Sequence, residues 1–176
     1  MKKTWIPAVL LAGLLAGGCG AASSASSTTS TQVATGTKTT PRAWLTTTAV
    51  HWNKQLNQDQ NTVDTAAAAT SGVSSSTFYS RLTSACTKLR DDARQAMSAP
   101  KAPTASLQEA WAAMLSATVS YASKCLTLPH SNSSADINAW QTSLTSMNNA
   151  NDHFNTVADA AARTSSSTST TGGSSH

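Results

Sequence analysis

The sequence predicts an all-α protein, an up-down-up-down four-helix bundle flanked by a disordered N-terminal tether and a disordered C-terminal tail. In four segments apolar residues recur at alternating steps of three and four, the spacing that places side chains on one face of a helix. No stretch shows the alternation of apolar and polar residues that a half-buried strand requires. The breaks between the segments are short, so consecutive helices should run antiparallel. We expect the bundle to span residues 41–163.

The first predicted helix begins at Pro41 and runs to about residue 70. Proline fits the first position of a helix because its missing N–H would have no partner there, and Ser71-Gly72 provides a break. The core face of this helix is predicted to be Leu45, Ala49, Trp52, Leu56, Asp59, Val63 and Ala66. A charged side chain, Asp59, therefore occupies a core position.

The second predicted helix runs from about Ser75 to Ser98, and Cys86 lies beside its core face. That face comprises Phe78, Leu82, Ala85, Leu89, Ala93 and Ala96. Pro100 and Pro103 favour an extended connection after it, because proline disfavours helical geometry in the residue before it.

Two further helices follow the proline-containing connection. The third starts after Thr104, a residue type that caps helices by accepting a hydrogen bond from an unpaired backbone N–H, and stops at Pro129. The fourth starts near Ser133 or Ser134 and runs to about Arg163. The predicted face of the third is Leu107, Trp111, Met114, Thr118, Tyr121, Cys125 and Leu128. The predicted face of the fourth is Ile137, Trp140, Leu144, Met147, Asn151, Phe154, Ala158 and Ala161.

Most of the large apolar side chains are assigned to packing. The residues assigned to the core include Trp52, Trp111, Trp140, Met97, Met114 and Met147. Trp44, in the first turn of the first helix, should be only half covered. The candidates for an exposed apolar patch are Trp44, Val50, Tyr79 and Leu126.

The N-terminus has the order of a secretory signal, with basic residues before a short apolar run. Lys2 and Lys3 precede a run that is shorter than the about 20 apolar residues of a transmembrane helix. The stretch Leu14-Leu15-Ala16-Gly17-Gly18-Cys19-Gly20 resembles the lipobox of bacterial lipoproteins, although Leu15 sits one place upstream of its commonest position. The resemblance implies cleavage before Cys19, a lipid thioether on its thiol, and a mature chain anchored in the membrane by fatty acyl chains.

The predicted organisation is a signal peptide over residues 1–18, a lipidated cysteine and Ser/Thr-rich tether over 19–40, the bundle over 41–163 and a tail over 164–176. The tether and the tail bury too little apolar surface to offset the entropy of ordering, so both should be disordered. The alternative for the N-terminus is an ordinary secretory signal in which Cys19 is incidental.

The cysteine count agrees with an exported chain. If Cys19 carries lipid, Cys86 and Cys125 remain as a pair, which predicts a disulfide in an oxidising compartment. The alternative is two buried thiols. Cys86 lies closer to the turn between its two helices than Cys125 does, so the bridge also requires the third helix to start about two turns beyond the end of the second.

Composition and motifs argue against several function classes. Removal of Lys2 and Lys3 lowers the formal charge from +4 to +2, because 10 basic and 8 acidic residues remain. This charge is too small, and its residues too scattered, to predict nucleic-acid binding. No phosphate loop, nucleophile elbow or zinc-protease motif is present. The mature chain has one glutamate, Glu109, so it cannot supply a di-iron carboxylate site. We therefore expect no catalytic residue, no metal site and no cofactor.

Polar residues at core positions are the remaining signal. Asp59, Thr118 and Asn151 all lie near the middle of their helices, so antiparallel packing could bring them to similar heights. One interpretation is a polar pocket that holds a small ligand. A second interpretation is that buried polar groups control the register of the helices. A third is that Asp59 lies at the edge of the contact between helices and that Gln60 faces outward.

Together these observations predict a non-enzymatic, lipid-anchored protein on the extracytoplasmic face of the cell membrane. Its partners would be the membrane, through lipid at Cys19, and an envelope protein. The first alternative is a small-ligand-binding protein that uses a pocket within the bundle, and the second is an envelope enzyme.

Overall fold

A computed structural model describes residues 39–69, 71–131 and 133–167 of the chain. Every regular element within these ranges is helical and none is a strand, which confirms the predicted all-α bundle. The predicted signal peptide, Cys19, most of the tether and the end of the tail (residues 168–176) lie outside the described residues.

Four long helices and one short helix make up the described part. Helix α1 is continuous and consists of an α-helical turn Pro41–Trp44, a π-helical stretch Leu45–Ala49 and an α-helix Val50–Ala68. Helix α2 is Ser75–Met97 and α3 is Ala105–Cys125. The short helix α4 is Leu128–Ser131, which contains the predicted end of the third helix at Leu128 and the first residues of the expected loop, and α5 is Ser134–Ser167.

The helix starts follow from side-chain caps. The hydroxyl oxygens of Thr40, Ser74 and Thr104 each accept a hydrogen bond from the backbone N–H three residues later. Such a bond satisfies one of the four N–H groups that a helix start leaves unpaired. The predicted cap at Thr104 is confirmed.

The π-helical stretch changes which tryptophan is buried. Trp44 and Ala49 are both 1% exposed and lie five residues apart, whereas Leu45 is only half-buried. A π-helical turn closes hydrogen bonds five residues apart, so it brings Trp44, rather than Leu45, onto the core face. The prediction that Trp44 is only half covered, and hence part of an exposed patch, is wrong.

Aromatic contacts tie the helices together near both ends of the bundle. Near the start of α1, Trp44 meets Trp111 of α3, and Trp111 in turn packs on Phe154 of α5 with ring centroids 5.2 Å apart. Near the other end, Tyr121 of α3 stacks on Trp140 of α5 at 5.8 Å. These pairings place early residues of α3 against late residues of α5, as antiparallel neighbours require.

The disulfide between Cys86 and Cys125 is confirmed. It joins α2 to α3 with the two Cα atoms 6.2 Å apart, and the cysteines are 39 positions apart in sequence. Cys86 lies 11 residues before the end of α2, and Cys125 lies 20 residues after the start of α3. At 1.5 Å per residue the bridge requires α3 to begin about 13 Å beyond the end of α2.

The core face of α5 consists of two rows of side chains, and the two rows are buried to different extents. The row that faces α3 includes Met147 and Phe154, which are buried. The other row consists of Ile137, Leu144, Asn151 and Ala158, and it is half-buried or exposed. The reason is that the backbones of α1 and α5 approach each other mainly at the first turn of α1.

Several side chains predicted for the core are therefore less covered than expected. Trp52 and Trp140 are half-buried, and Met97, near the end of α2, is 48% exposed. Val50 is 58% exposed, as its position off the core face predicted. Periodicity identifies a helix face, but burial also depends on how closely a second helix approaches that face.

Helix α5 continues beyond the predicted end at Arg163, so the expected disorder is wrong for residues 164–167. The hydroxyls of Thr164 and Ser165 donate to the carbonyl oxygens of Ala160 and Ala161, both at 2.9 Å. Each residue added to an existing helix gains a backbone hydrogen bond without a new nucleation cost, which explains the extension into a serine-rich sequence.

Candidate functional site

A buried carboxylate connects α1 to α2. Asp59 is 3% exposed, and its Oδ1 accepts a hydrogen bond from Lys88 Nζ at 2.8 Å. The same ammonium donates to Asp92 Oδ2 at 2.7 Å, and Gln55 Nε2 donates to that oxygen at 3.1 Å. One lysine on α2 therefore serves two carboxylates, one from each helix.

The two carboxyl groups of this cluster have opposite pKa shifts. Burial raises the pKa of Asp59 above its ordinary value, and the hydrogen bond from Lys88 only partly opposes this effect. Burial also acts to raise the pKa of Asp92, but hydrogen bonds from Lys88 and Asp59 outweigh it and lower the value. A proton shared by the pair therefore resides on Asp59. Hydrogen bonds to Asp59 and Asp92 raise the pKa of Lys88, so its charge is stabilised.

The three residues of the predicted polar pocket have separate surroundings. Asp59 contacts α2, whereas the buried hydroxyl of Thr118 donates to the carbonyl oxygen of Met114 in its own helix at 2.9 Å. Asn151 is half-buried on the sparsely covered row of α5. No hydrogen bond joins these three residues in the described part of the chain. Their positions favour register control by Asp59 over a shared ligand pocket.

A second polar cluster links α1, α3 and α5. Gln60 Nε2 donates to the Tyr121 hydroxyl at 3.3 Å and to Asp64 Oδ1 at 3.0 Å. Tyr121 is 1% exposed and stacks on Trp140. Among the described residues Gln60 Oε1 is buried without a hydrogen-bond partner, whereas the Trp140 side chain acts on the Tyr121 hydroxyl as a hydrogen-bond donor that lowers its pKa. The structure contradicts the alternative in which Gln60 faces outward, since its amide reaches Tyr121 of α3.

Burial controls the protonation of this second cluster. It raises the pKa of Tyr121 to about 12, and it raises the pKa of Asp64 above its ordinary value. The Tyr121 hydroxyl is therefore neutral at physiological pH, and it can donate as well as accept a hydrogen bond. One feature of the sequence could have indicated this cluster. Tyr121 is at a predicted core position, and a buried tyrosine hydroxyl usually has a polar partner.

A groove with a volume of about 580 Å³ lies between α3 and α5. We call it the small-residue groove, because its lining consists of alanine, serine and threonine. The lining residues are Ala113, Ser116, Ala117, Ser120, Ala139, Thr142, Ser143 and Ser146. Residues 110–123 and 137–151, which contain this lining, include no charged side chain.

Comparison of the chain with protein-family models, curated proteins and solved structures found no match. Its function must therefore be inferred from its own chemistry. Over residues 39–69, 71–131 and 133–167, no three side chains of histidine, cysteine, aspartate or glutamate lie together as a metal site would require. A search of the same residues found no helix with the length and apolarity needed to cross a membrane.

Proposed function

We propose that this protein is a non-enzymatic, lipid-anchored interaction protein on the extracytoplasmic face of the cell membrane. The observation that carries the proposal is the disulfide between Cys86 and Cys125, both 0% exposed. Structural disulfides persist in oxidising compartments and are rare in the cytosol. This supports export, and the lipobox-like stretch ending at Cys19 supports an anchor at the membrane.

The small-residue groove is the best-supported contact surface for an envelope protein. Charged residues are depleted at the cores of protein interfaces because covering them removes their hydration. The absence of charge over residues 110–123 and 137–151 lowers this cost. Short side chains also allow the backbone of an approaching helix to come close, as alanine, serine and threonine do between closely packed helices. We propose that an uncharged helix of the partner binds here.

The anchor is tested by the intact mass of the mature protein, produced with its own N-terminus in a bacterial host. We expect a mass that corresponds to cleavage before Cys19 plus acyl chains, and a heavier unprocessed form when globomycin blocks the lipoprotein signal peptidase. Cys19→Ser should abolish membrane retention. A mature mass without acyl chains that is the same with and without globomycin would refute the anchor.

The contact surface is tested by photo-cross-linking in intact cells. A photoreactive amino acid at Ser116 or Thr142 should capture a specific envelope protein. The same amino acid at Arg94, which lies on α2 and has a side chain 58% exposed, is the matched control. Capture from Arg94 alone, or equal capture from all three positions, would contradict the assignment of the groove.

A small-ligand-binding function is the second candidate. The observation that favours it is the buried polar cluster around Tyr121, in which the amide oxygen Oε1 of Gln60 has no hydrogen-bond partner among the described residues.

A further inference from the structure

The first turns of α1 bury a different residue from the one that the apolar pattern of the sequence selects. Leu45 lies four residues before Ala49, a spacing that an unbroken α-helix places on one face. In the structure the N–H of Val50 donates to the carbonyl oxygen of Leu45, five residues earlier, which is a π-helical bond. Residues before this turn are therefore displaced by one position relative to an α-helix, and Trp44 occupies the place in the core.

The contacts of Trp44 explain why the π-helical register is the one observed. Its ring packs edge to face on Trp111, and its Nε1 donates to the carbonyl oxygen of Pro100 at 2.7 Å. The Trp44 side chain is buried by these contacts. Because π-helical turns are rare and occur mostly as single turns within α-helices, we attribute this turn to the side-chain contacts that it allows.

Leu45 is positioned to replace Trp44 in the core. It is half-buried and already packs against the core. If the turn before Val50 became α-helical, Leu45 would take the place of Trp44, and Trp44 would take the place of Ala43, which is exposed. The helix cap does not oppose this change, because Thr40 accepts its hydrogen bond from Ala43, within the same turn.

We propose that the first turns of α1 form a two-register element, in which Trp44 and Leu45 compete for one place in the core. In the π-helical register Trp44 is buried and bonds to Pro100. In the α-helical register Leu45 is buried, the Trp44 indole faces solvent, and the bond to Pro100 is broken. A change of register therefore exposes an indole and releases the connection between α2 and α3 at the same time.

The register is tested with Trp44→Leu, which places a leucine in the core in either register and removes the indole contacts. Because the π-helical turn then has no side-chain advantage, we expect the N–H of Val50 to bond to Thr46 instead of Leu45. Scalar couplings across the hydrogen bond, measured by NMR on isotope-labelled protein, identify the accepting carbonyl group. A bond that remains on Leu45 would overturn the proposal.

The double variant Trp44→Leu/Leu45→Ala is the matched control for this measurement. It leaves a large apolar side chain at position 44 alone, so burial of that side chain again requires the π-helical register. We therefore expect the hydrogen bond from Val50 to return to residue 45. A bond that stays on Thr46 would show that side-chain burial does not choose the register, which would contradict the proposal.

Exchange of the Trp44 indole hydrogen with solvent tests whether the protein reaches the α-helical register without a change at Trp44. Leu45→Ala removes the side chain that is more deeply buried in that register, so it should slow this exchange by about fivefold. If Leu45 only stabilised the observed structure, its loss would speed the exchange, because the bundle would open more readily.

Val50→Ala is the control for the exchange measurement, because Val50 is 58% exposed and should not affect the competition for the core. Exchange of the Trp44 indole hydrogen that is faster in Leu45→Ala, or the same as in the unaltered protein, would refute the two-register element. If Trp44→Leu fails to fold, this exchange measurement decides by itself.

Discussion

The indole rings of Trp44 and Trp111 meet edge to face, with centroids 5.4 Å apart and planes at 89°. This arrangement brings the positive edge of one ring to the negative face of the other. The N–H of Trp44 also donates to the carbonyl oxygen of Pro100 at 2.7 Å, so the same side chain fixes the proline-containing connection against α1. Trp44 thus joins α1 to α3 and to the loop before it.

Replacement of Trp44 by alanine should destabilise the protein much more than replacement of Trp52. Trp44 is 1% exposed and hydrogen-bonded, so Trp44→Ala should lower the free energy of unfolding by about 3–5 kcal/mol. Trp52 is half-buried, and Trp52→Ala should cost about 1–2 kcal/mol. Urea unfolding followed by far-UV circular dichroism measures both values. An equal or larger loss for Trp52→Ala would contradict the burial described for α1.

Removal of the disulfide should lower the free energy of unfolding by about 4 kcal/mol. This is the chain-entropy value for a loop closed by cysteines 39 residues apart. The measurement compares urea unfolding of the oxidised protein with that of Cys86→Ala/Cys125→Ala. The reduced, unaltered protein is the control, because it keeps both sulfur atoms and lacks only the bond between them. A difference below about 1 kcal/mol between the oxidised and reduced forms would show that the bridge does not stabilise the bundle.

Asp59 and Asp92 should affect the pH dependence of stability in opposite directions. The pKa of Asp59 is raised from 3.8 in the folded protein, so its ionisation removes stability as the pH rises from 3.8 through the folded value. The pKa of Asp92 is lowered from 3.8, so its stabilising contribution is complete above that value and is lost as the pH falls through the folded value.

Urea unfolding from about pH 2.5 to about pH 7, a range that includes the ordinary pKa of an aspartate, tests this contrast. The stability of the unaltered protein relative to Asp59→Asn should decrease as the pH rises. Its stability relative to Asp92→Asn should increase over the same range. The same sign for both differences would refute the assignment of the shared proton to Asp59.

Lys88 and Asp59 should be energetically coupled. Lys88→Met removes the cation from the buried Asp59 carboxylate, whereas Asp59→Leu/Lys88→Met removes both charges. We expect a coupling energy of about 0.5–3 kcal/mol in a double-mutant cycle. Because the Lys88 side chain is 54% exposed, water screens the pair and the value should lie in the lower half of that range. A coupling energy of zero would mean that the ion pair does not connect α1 to α2.

Local signals in the sequence were sufficient for most of the helix boundaries. Proline at the start of α1, Thr104 before α3 and the Ser71-Gly72 break each act within one turn of chain, so a single sequence contains the information. The disulfide also followed from the sequence, because one cysteine was assigned to lipid and two remained. The apolar periodicity gave the correct helix faces over most of the bundle.

The errors came from features that a constant helical period does not contain. The π-helical stretch changes the register within α1. As a result Trp44 is buried and Leu45 is half-buried, whereas the sequence predicted the reverse. Periodicity also does not specify how closely two faces approach, so the partial exposure of Leu144 was not predicted. Lys88 lies off the core face of α2, and its long side chain reaches the Asp59 carboxylate from there.

The position of the bridge between Cys86 and Cys125 sets an order for partial unfolding. It joins the two helices in the middle of the chain and leaves α1 and α5 attached through non-covalent packing and the backbone alone. When an outer helix detaches, the α2–α3 hairpin remains a closed covalent ring against which that helix can dock again. The backbone amide hydrogens of α2 and α3 close to Cys86 and Cys125 should therefore be the last to exchange with solvent.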